Sequence, residues 1–310
     1  MTKLPKKPLT EVIDAAAEVV LGHMAVIQLA LACVLARGHL LVEDLPGMGK
    51  TTLAHTLAGL FGLQYSRIQF TSDLLPADLL GVSIFDQAAQ RFRFHSGPVF
   101  AQLVLADEIN RATPKTQSAL LEAMEERCVT VEGETRPLPE PFFVIATQNP
   151  SDQIGTFPLP ESQLDRFLMR LTMGYPDRAA ERRLLQGTDR LALAKNLAPM
   201  LTPARLIEYQ TEVGRVHVSE PVLAYCQDLL TYSRQSGAFL HGLSPRAGMA
   251  LLRSARALAF LGGRDYVVPE DVQAVLPACF SHRLIGNPAA DLVAGVSDPA
   301  RRLMEAVPAP

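Results

Sequence analysis

Five short apolar runs punctuate the first half of the chain, each closed by turn-forming or charged residues. They span His39 to Glu43, Tyr65 to Phe70, Phe100 to Ala106, Phe142 to Thr147 and Phe167 to Met173. Short apolar runs of this kind, alternating with helical patterns, predict the strands of a parallel sheet covered by helices on both faces. Stretches with helical periodicity fit between most of them, so the fold class expected is α/β with a five-stranded parallel sheet. Beyond Tyr175-Pro176-Asp177 no strand-like run recurs. Helix-start signals take over at Thr202-Pro203, Ser219-Glu220-Pro221, Ser244-Pro245 and Pro269-Glu270-Asp271, where a capping side chain or an early proline suits the first turn. The chain therefore divides near residue 176, into an α/β domain over 1–176 and an all-helical domain over 177–310.

Two segments interrupt the layered half. Phe85 to Phe94 and Cys128 to Thr135 have the polar turn and alternating arms of hairpins. Phe92, Phe94 and Phe100 are expected to pack rather than to stack nucleic-acid bases, because few basic residues interleave with them. No internal repeat is visible, and the tail from Ser297 to Pro310 carries no strong pattern. The longest uncharged stretch, the 18 residues Val19 to Ala36, includes Gly22, His23 and Gln28. It stands at the minimum length for a membrane span, and its length and polarity favour a buried helix.

Composition narrows the function classes. Lys plus Arg number 29 against 32 Asp plus Glu, for a net charge of −3, so no global positive field exists to attract nucleic acid or anionic lipid. The 48% hydrophobic and 20% charged residues of a 310-residue chain exclude a disordered or fibrous protein. Cys33, Cys128, Cys226 and Cys279 are far apart, and the seven histidines are dispersed without ligand spacing. Neither a disulfide framework nor structural zinc is expected. With no apolar signal core at its start, the chain is expected to be cytoplasmic.

The chemistry concentrates in Asp44-Leu45-Pro46-Gly47-Met48-Gly49-Lys50-Thr51-Thr52, which follows a strand and opens a helix. Such a loop curls backbone amides around phosphates, with a lysine for the β and γ oxygens and a hydroxyl for magnesium. Asp44 stands where the general motif has its first glycine, and aspartate is among the residues that tolerate a left-handed backbone. A second strand ends in Asp107-Glu108, placing two carboxylates at a sheet edge where ligands of open α/β sheets bind. Asp107 then holds magnesium through its water shell, and Glu108 orients the attacking water. By itself such an acidic pair is also an ordinary helix cap. A third strand ends in Gln148-Asn149-Pro150, where Asn149 serves either a γ-phosphate and its attacking water or a turn before proline.

The set Glu43 to Thr51, Asp107-Glu108-Ile109-Asn110-Arg111-Ala112, Ala146 to Pro150, Leu159 to Phe167 and Ser244-Pro245-Arg246 resembles the MoxR family of AAA+ ATPases, in its short form within the helix-2-insert clade. The resemblance runs from about residue 10 to 285. It implies ATP or ADP and Mg2+ as ligands. The cradle is Pro46, Gly47, Met48, Gly49, Lys50, Thr51 and Thr52, with Asp107 beside it and Leu21 and Gly22 near adenine. Lys50 and Thr51 match the Walker A residues, Asp107 and Glu108 the Walker B pair, and Asn149 sensor 1. Arg166 matches the arginine presented to a neighbouring subunit's nucleotide, and Arg246 matches sensor 2. The metal ligands implied are Thr51 and Asp107. The hairpins correspond to the family's helix-2 insert and to its hairpin before sensor 1, the latter over Cys128 to Pro137.

Further expectations follow from the resemblance: a ring, as a hexamer, that remodels a protein client or helps insert a metal or cofactor, with a von Willebrand factor A domain protein as a separate partner. From charge geometry alone, Arg166 is also suited to pairing with Asp165 or Glu161, Arg246 to a solvated helix start, and Arg111 to reaching across a subunit interface. Two other functions remain in view, a nucleic-acid-dependent motor, which the charge balance disfavours, and a nucleotide-gated scaffold with little turnover.

Overall fold

The computed structural model describes residues 7–149, 156–187, 189–287 and 298–310. Pro150 and Ser297, at the edges of two features noted above, lie outside them. The elements run α1 (Lys7–Val19), α2 (Met24–Leu35), β1 (Leu40–Glu43), α3 (Lys50–Leu60), β2 (Tyr65–Gln69), α4 (Pro76–Leu80), β3 (Gly81–Asp86), β4 (Arg91–Ser96) and β5 (Leu103–Asp107). They continue with α5 (Pro114–Glu126), β6 (Cys128–Val131), β7 (Glu134–Pro137), β8 (Phe143–Gln148), α6 (Glu161–Leu164) and β9 (Met169–Leu171). Helices follow: α7 (Arg178–Leu185), α8 (Arg190–Lys195), α9 (Pro203–Val213), α10 (Glu220–Gln235), α11 (Pro245–Leu261), α12 (Pro269–Phe280) and α13 (Pro299–Ala306).

Five strands form one sheet in the order β2-β5-β8-β1-β9, every neighbouring pair parallel. Alternation along each strand serves two cores. Leu40, Val42, Leu103, Leu105 and Ile145 face the side covered by α1, α2 and α3. Leu41, Val104, Ala106, Val144 and Ala146 face the side covered by α5, where Leu120, Leu121 and Met124 meet them. All five residues of β5 are buried, as a central strand covered on both faces requires.

The uncharged stretch holds α2, a helix of 12 residues that buries Ile27 and the run Ala30 to Leu35. Among the described residues no helix is long and apolar enough to cross a membrane. Its apolar surface is covered by α1 on one side and by α9 and α11 on another, so one core continues from the sheet into the C-terminal helices. The start signals act as expected at α9 and α11, where Thr202 accepts from Arg205 N–H and Ser244 from Ala247 N–H. At α12 the cap is instead Asp271, which accepts from Val268 N–H at 2.9 Å and from Arg264.

Several boundaries differ from the sequence expectation. The third strand starts at Leu103 rather than Phe100, because Phe100 N–H is drawn into a turn on Gly97 O. The insert hairpin spans Gly81–Ser96, longer at both ends than Phe85 to Phe94, in an antiparallel register. Arg136 of the second hairpin lies 4.0 Å over the Phe94 ring. The tail is not featureless: Asp298 accepts from Ala300 N–H and starts α13, which buries Ala300 and Leu303.

His39 precedes β1 and is buried among Phe142, Phe143 and the end of α5. Val144 N–H donates to its Nδ1 at 3.0 Å, so Nε2 carries the proton and donates to Met124 O at 3.1 Å. Burial lowers its pKa to about 3. His282, buried against Phe167 O, is likewise held neutral by burial and by Arg283. Unfolded chains take up these protons below about pH 6.5 and the folded protein does not. Stability therefore falls as pH drops from about 6.5 toward 3, His39 contributing up to about 1.4 kcal/mol per pH unit and His282 acting in the same direction. Urea titrations at a series of pH values should show a shallower slope for His39→Gln than for the wild type.

Candidate nucleotide site

The phosphate loop leaves β1 at Glu43 and enters α3 at Lys50. Gly47 and Gly49 adopt φ of 85° and 89°, left-handed values that favour glycine. Asp44 has no positive φ, so it does not fill the glycine's conformational role. Its carboxylate ties the loop instead: Oδ1 accepts from Leu45 N–H at 2.7 Å and Oδ2 from Gly174 N–H at 2.6 Å, beyond β9. Lys50 is buried and donates from Nζ to Asp44 O at 2.5 Å. Burial lowers its pKa against the pull of Asp44, Asp107 and Glu108.

A cavity of about 200 Å³ opens beside the loop, its walls including Val19, Leu21, Met48, Thr52, Pro176 and Leu184. His23 lines it too, with a pKa lowered by burial. Gly22 has φ +77°, and a Cβ there would fall 2.9 Å from Ala180 Cβ. Its contribution is the close approach of the α1–α2 turn to α7, not a wall of the cavity. Pro46 likewise is not among the lining residues.

The acids lie on the same edge of the sheet. Asp107 Oδ1 accepts from the Thr147 hydroxyl at 2.6 Å, and Oδ2 from Arg67 Nη2 at 2.7 Å. Glu108 has φ 56° and ψ 49°, a left-handed conformation costly for a residue with a Cβ. Its N–H donates to Thr147 Oγ1 at 2.9 Å. Its carboxylate receives Asn149 Nδ2 on Oε1 and both Gln69 Nε2 and Arg111 Nε on Oε2, each at 2.9 Å. Arg111 thus pairs with Glu108 of its own chain while its side chain stays half exposed. Asn149 is buried, and its carbonyl accepts from Asn110 Nδ2 at 3.2 Å.

Arg67, Gln69, Thr147 and Asn110 were not singled out from the sequence. Arg67 and Gln69 are polar residues in an otherwise strand-like run that ends at the catalytic edge, the one signal that marks them. The Thr51 hydroxyl and Asp107 carboxylate are hard oxygen donors suited to Mg2+, which takes few protein ligands beside phosphate and water. The Arg67 guanidinium pairs with Asp107 at 2.7 Å, so a cation at that carboxylate would share it with or displace Arg67.

Arg166 and Arg246 are elsewhere. Both line a cavity of about 270 Å³ together with Gly38, His39 and Leu168, residues that precede β1 and β9. Asp107 ends its strand, and Lys50, Glu108 and Asn149 follow theirs. Even the four residues of β1 span about 13 Å, and the two groups occupy opposite edges of the sheet. Arg246 thus stands with Arg166 on the edge opposite this chain's own phosphate loop. It is more than a solvated helix start: Glu125 Oε1 accepts from Arg246 Nη2 and Glu125 Oε2 pairs with Arg166 Nε at 3.3 Å. Asp165, considered for Arg166, pairs with Arg283 at 2.6 Å.

Residues 39–169 match the ATPase family associated with various cellular activities (AAA), and residues 231–301 match the AAA lid domain. The fold and its edge of phosphate-loop and acidic residues thus define a P-loop ATPase with a helical lid. Chaperone MoxR1 of Mycobacterium tuberculosis is 39% identical over 86% of this chain and 73% of its own length. The uncharacterised protein YeaC of Bacillus subtilis is 45% identical over 94% of this chain and 92% of its own. A crystal structure of a candidate ATPase from Cytophaga hutchinsonii superposes with a TM-score of 0.87 at 38% identity, covering 97% of this chain and 93% of the other. The chain belongs to the MoxR family of AAA+ ATPases.

Asp44→Ala removes the acceptor of both Leu45 and Gly174 N–H groups. It should lower unfolding free energy by about 1–3 kcal/mol, the usual cost of losing hydrogen bonds to a charged acceptor, and weaken ATP binding. Chemical denaturation and nucleotide titration of the same preparation check both effects.

Proposed function

We propose that the protein hydrolyses ATP with Mg2+ as one subunit of a ring, each interface combining the phosphate-loop edge of one copy with the Arg166 edge of the next. The observation carrying this reading is the separation of the two groups of residues on opposite edges of one parallel sheet. A chain so built cannot bring its own Arg166 to its own γ-phosphate. A head-to-tail interface, which closes into a ring, supplies it.

In that site Lys50 leaves the Asp44 carbonyl for the β and γ oxygens, and the N-terminus of α3 adds its dipole. Thr51 and Asp107 would hold Mg2+, which would supply positive charge to offset that of the phosphates. Val19 to Leu21, Met48 and Pro176 give the base an apolar slot. Glu108 accepts a proton from the attacking water, and Asn149 holds the Glu108 carboxylate in place. Arg166 and Arg246 from the neighbour meet charge on the γ-phosphoryl oxygens with planar, permanently charged guanidinium groups.

The output of turnover is movement of the ring against a protein client, with a separate von Willebrand factor A domain protein as partner and metal or cofactor insertion as one form of the work. The naming of the mycobacterial relative as a chaperone supports this client class. A hexamer is the ring size expected.

Phosphate release tests the reading. Glu108→Gln should reduce turnover by about 10²- to 10⁴-fold, the scale of a lost general base, while retaining ATP. Lys50→Ala and Arg166→Ala should each be inactive alone. Mixed in equal amounts they should regain up to about a quarter of wild-type activity, the share of head-to-tail interfaces joining an intact loop to an intact arginine. A silent mixture, or an Arg166→Ala protein with full activity, would refute the shared site.

A further inference from the structure

The cavity on the Arg166 edge has an uneven charge balance. Arg37, Arg166, Arg246, Arg253 and Arg283 line it against two carboxylates, Glu125 and Asp165. The two acids have different commitments. Asp165 is bound to Arg283, whose side chain is 6% exposed. Arg283 also donates to Phe167 O at 2.6 Å and to Asp165 O at 3.0 Å. That cluster joins the end of α12 to the segment before β9 and is structural.

Glu125 is placed differently. It stands one residue from the end of α5, partly open to solvent, and one carboxylate serves two arginines: Oε2 faces Arg166 at 3.3 Å and Oε1 accepts from Arg246. The nearest other acid to Arg246 is Asp165, at 4.0 Å. The hydrogen bond from Arg246, with the Arg166 charge beside it, lowers the Glu125 pKa, so the group is ionised. Ion pairs with this much exposure are individually weak. A phosphate chain offers more charge and bidentate oxygens to the same guanidinium groups.

We infer that Glu125 is a positioning residue that holds Arg166 and Arg246 together on the subunit edge and yields them to the γ-phosphate of a neighbouring subunit. The inference rests on the shared-site reading above. Glu125 keeps two guanidinium groups adjacent and oriented in a subunit that faces no ATP. It also sets a cost on ATP-driven assembly, because both pairs must break before the arginines reach phosphate. Nucleotide lacking the γ-phosphate leaves the pairs intact and incurs no such cost.

That asymmetry separates a positioning role from a merely structural one. Glu125→Gln in the full chain should lower the protein concentration for half-maximal assembly with a slowly hydrolysed ATP analogue and Mg2+. The decrease expected is roughly three- to tenfold, as two exposed ion pairs of ordinary strength imply. Assembly with ADP should be unchanged. Light scattering over a protein dilution series reads both midpoints. Glu126→Gln, the same charge change at an adjacent exposed residue, should move neither. If Glu125→Gln folds poorly, Glu125→Ala removes the carboxylate in a residue favourable to the helix and should give the same one-sided shift.

Midpoints that move equally with both nucleotides, that do not move, or that rise with the ATP analogue overturn the inference. Recovery of activity in the Lys50→Ala and Arg166→Ala mixture with any of these results removes Glu125 alone. A silent mixture removes the shared site and the role of Glu125 with it.

Discussion

The parallel alignment of five short strands is the constraint from which the rest of the molecule follows. Because β1, β2, β5, β8 and β9 all run one way, every residue just after a strand lies on one edge and every residue just before a strand on the other. Crossover connections between the strands set that direction, since parallel neighbours cannot be joined by tight hairpins. Lys50, Gln69, Asp107, Glu108 and Asn149 are thus gathered without being close in sequence. The same rule sends His39, Arg166 and Leu168 to the far edge.

Each charged group on the phosphate-loop edge has an internal partner of the kind its chemistry calls for. Asp107 has Arg67, a cation where Mg2+ would bring charge. Glu108 has two amides and Arg111 where a water and a phosphate would meet it. Lys50 has a carbonyl oxygen where phosphate oxygens would lie. Isolated charges in a half-buried edge would be costly, and these contacts satisfy them with side chains that exchange partners by rotation. The backbone of Glu108 is the exception: its left-handed conformation sits between β5 and a tight 3-10 turn, Ile109–Arg111. Two hydrogen bonds to Thr147, one from Glu108 N–H and one to Asp107 Oδ1, hold the strained point in register with β8.

Much of this was legible in the residues. The apolar runs of β5 and β8 were clear because strands buried on both faces have no polar face to blur the signal, and Thr202 and Ser244 mark helix starts through chemistry local to one turn. The phosphate loop and the acids after β5 were readable because their function requires particular residues at fixed places on a strand end. What was not legible depends on neighbours in space. Nothing in the run Tyr65 to Phe70 says that β2 lies beside β5, and only that pairing brings Arg67 and Gln69 to Asp107 and Glu108. Asp44 read as a substitute for glycine because its partner, Gly174, is far along the chain. Ser244-Pro245-Arg246 reveals a helix start but not which edge of the sheet that helix approaches, and only the fold sets Arg246 beside Arg166 and Glu125.

The side of approach is decided by packing of the lid. The helix α2 shares a core with α9 and α11, and α12 lies against β9, so the lid is anchored to the sheet's β9 edge and to one face. At the junction Gly38 admits Leu168 so closely that a Cβ would stand 2.2 Å from Leu168 Cδ2, and the segment before β9 lies flat across the turn entering β1. The lid grips the same segment from outside through Arg283 to Asp165 and Phe167 and through His282 to Phe167. Arg166 lies between Asp165 and Phe167, so its backbone is fixed by core and lid jointly. The lid therefore does more than cover apolar surface: it fixes the backbone from which the arginine on the far edge projects, and Arg246 at the start of α11 rides on that same lid. The two guanidinium groups meet at Glu125 because one is held by the lid and the other is carried on it, while the carboxylate between them belongs to the core.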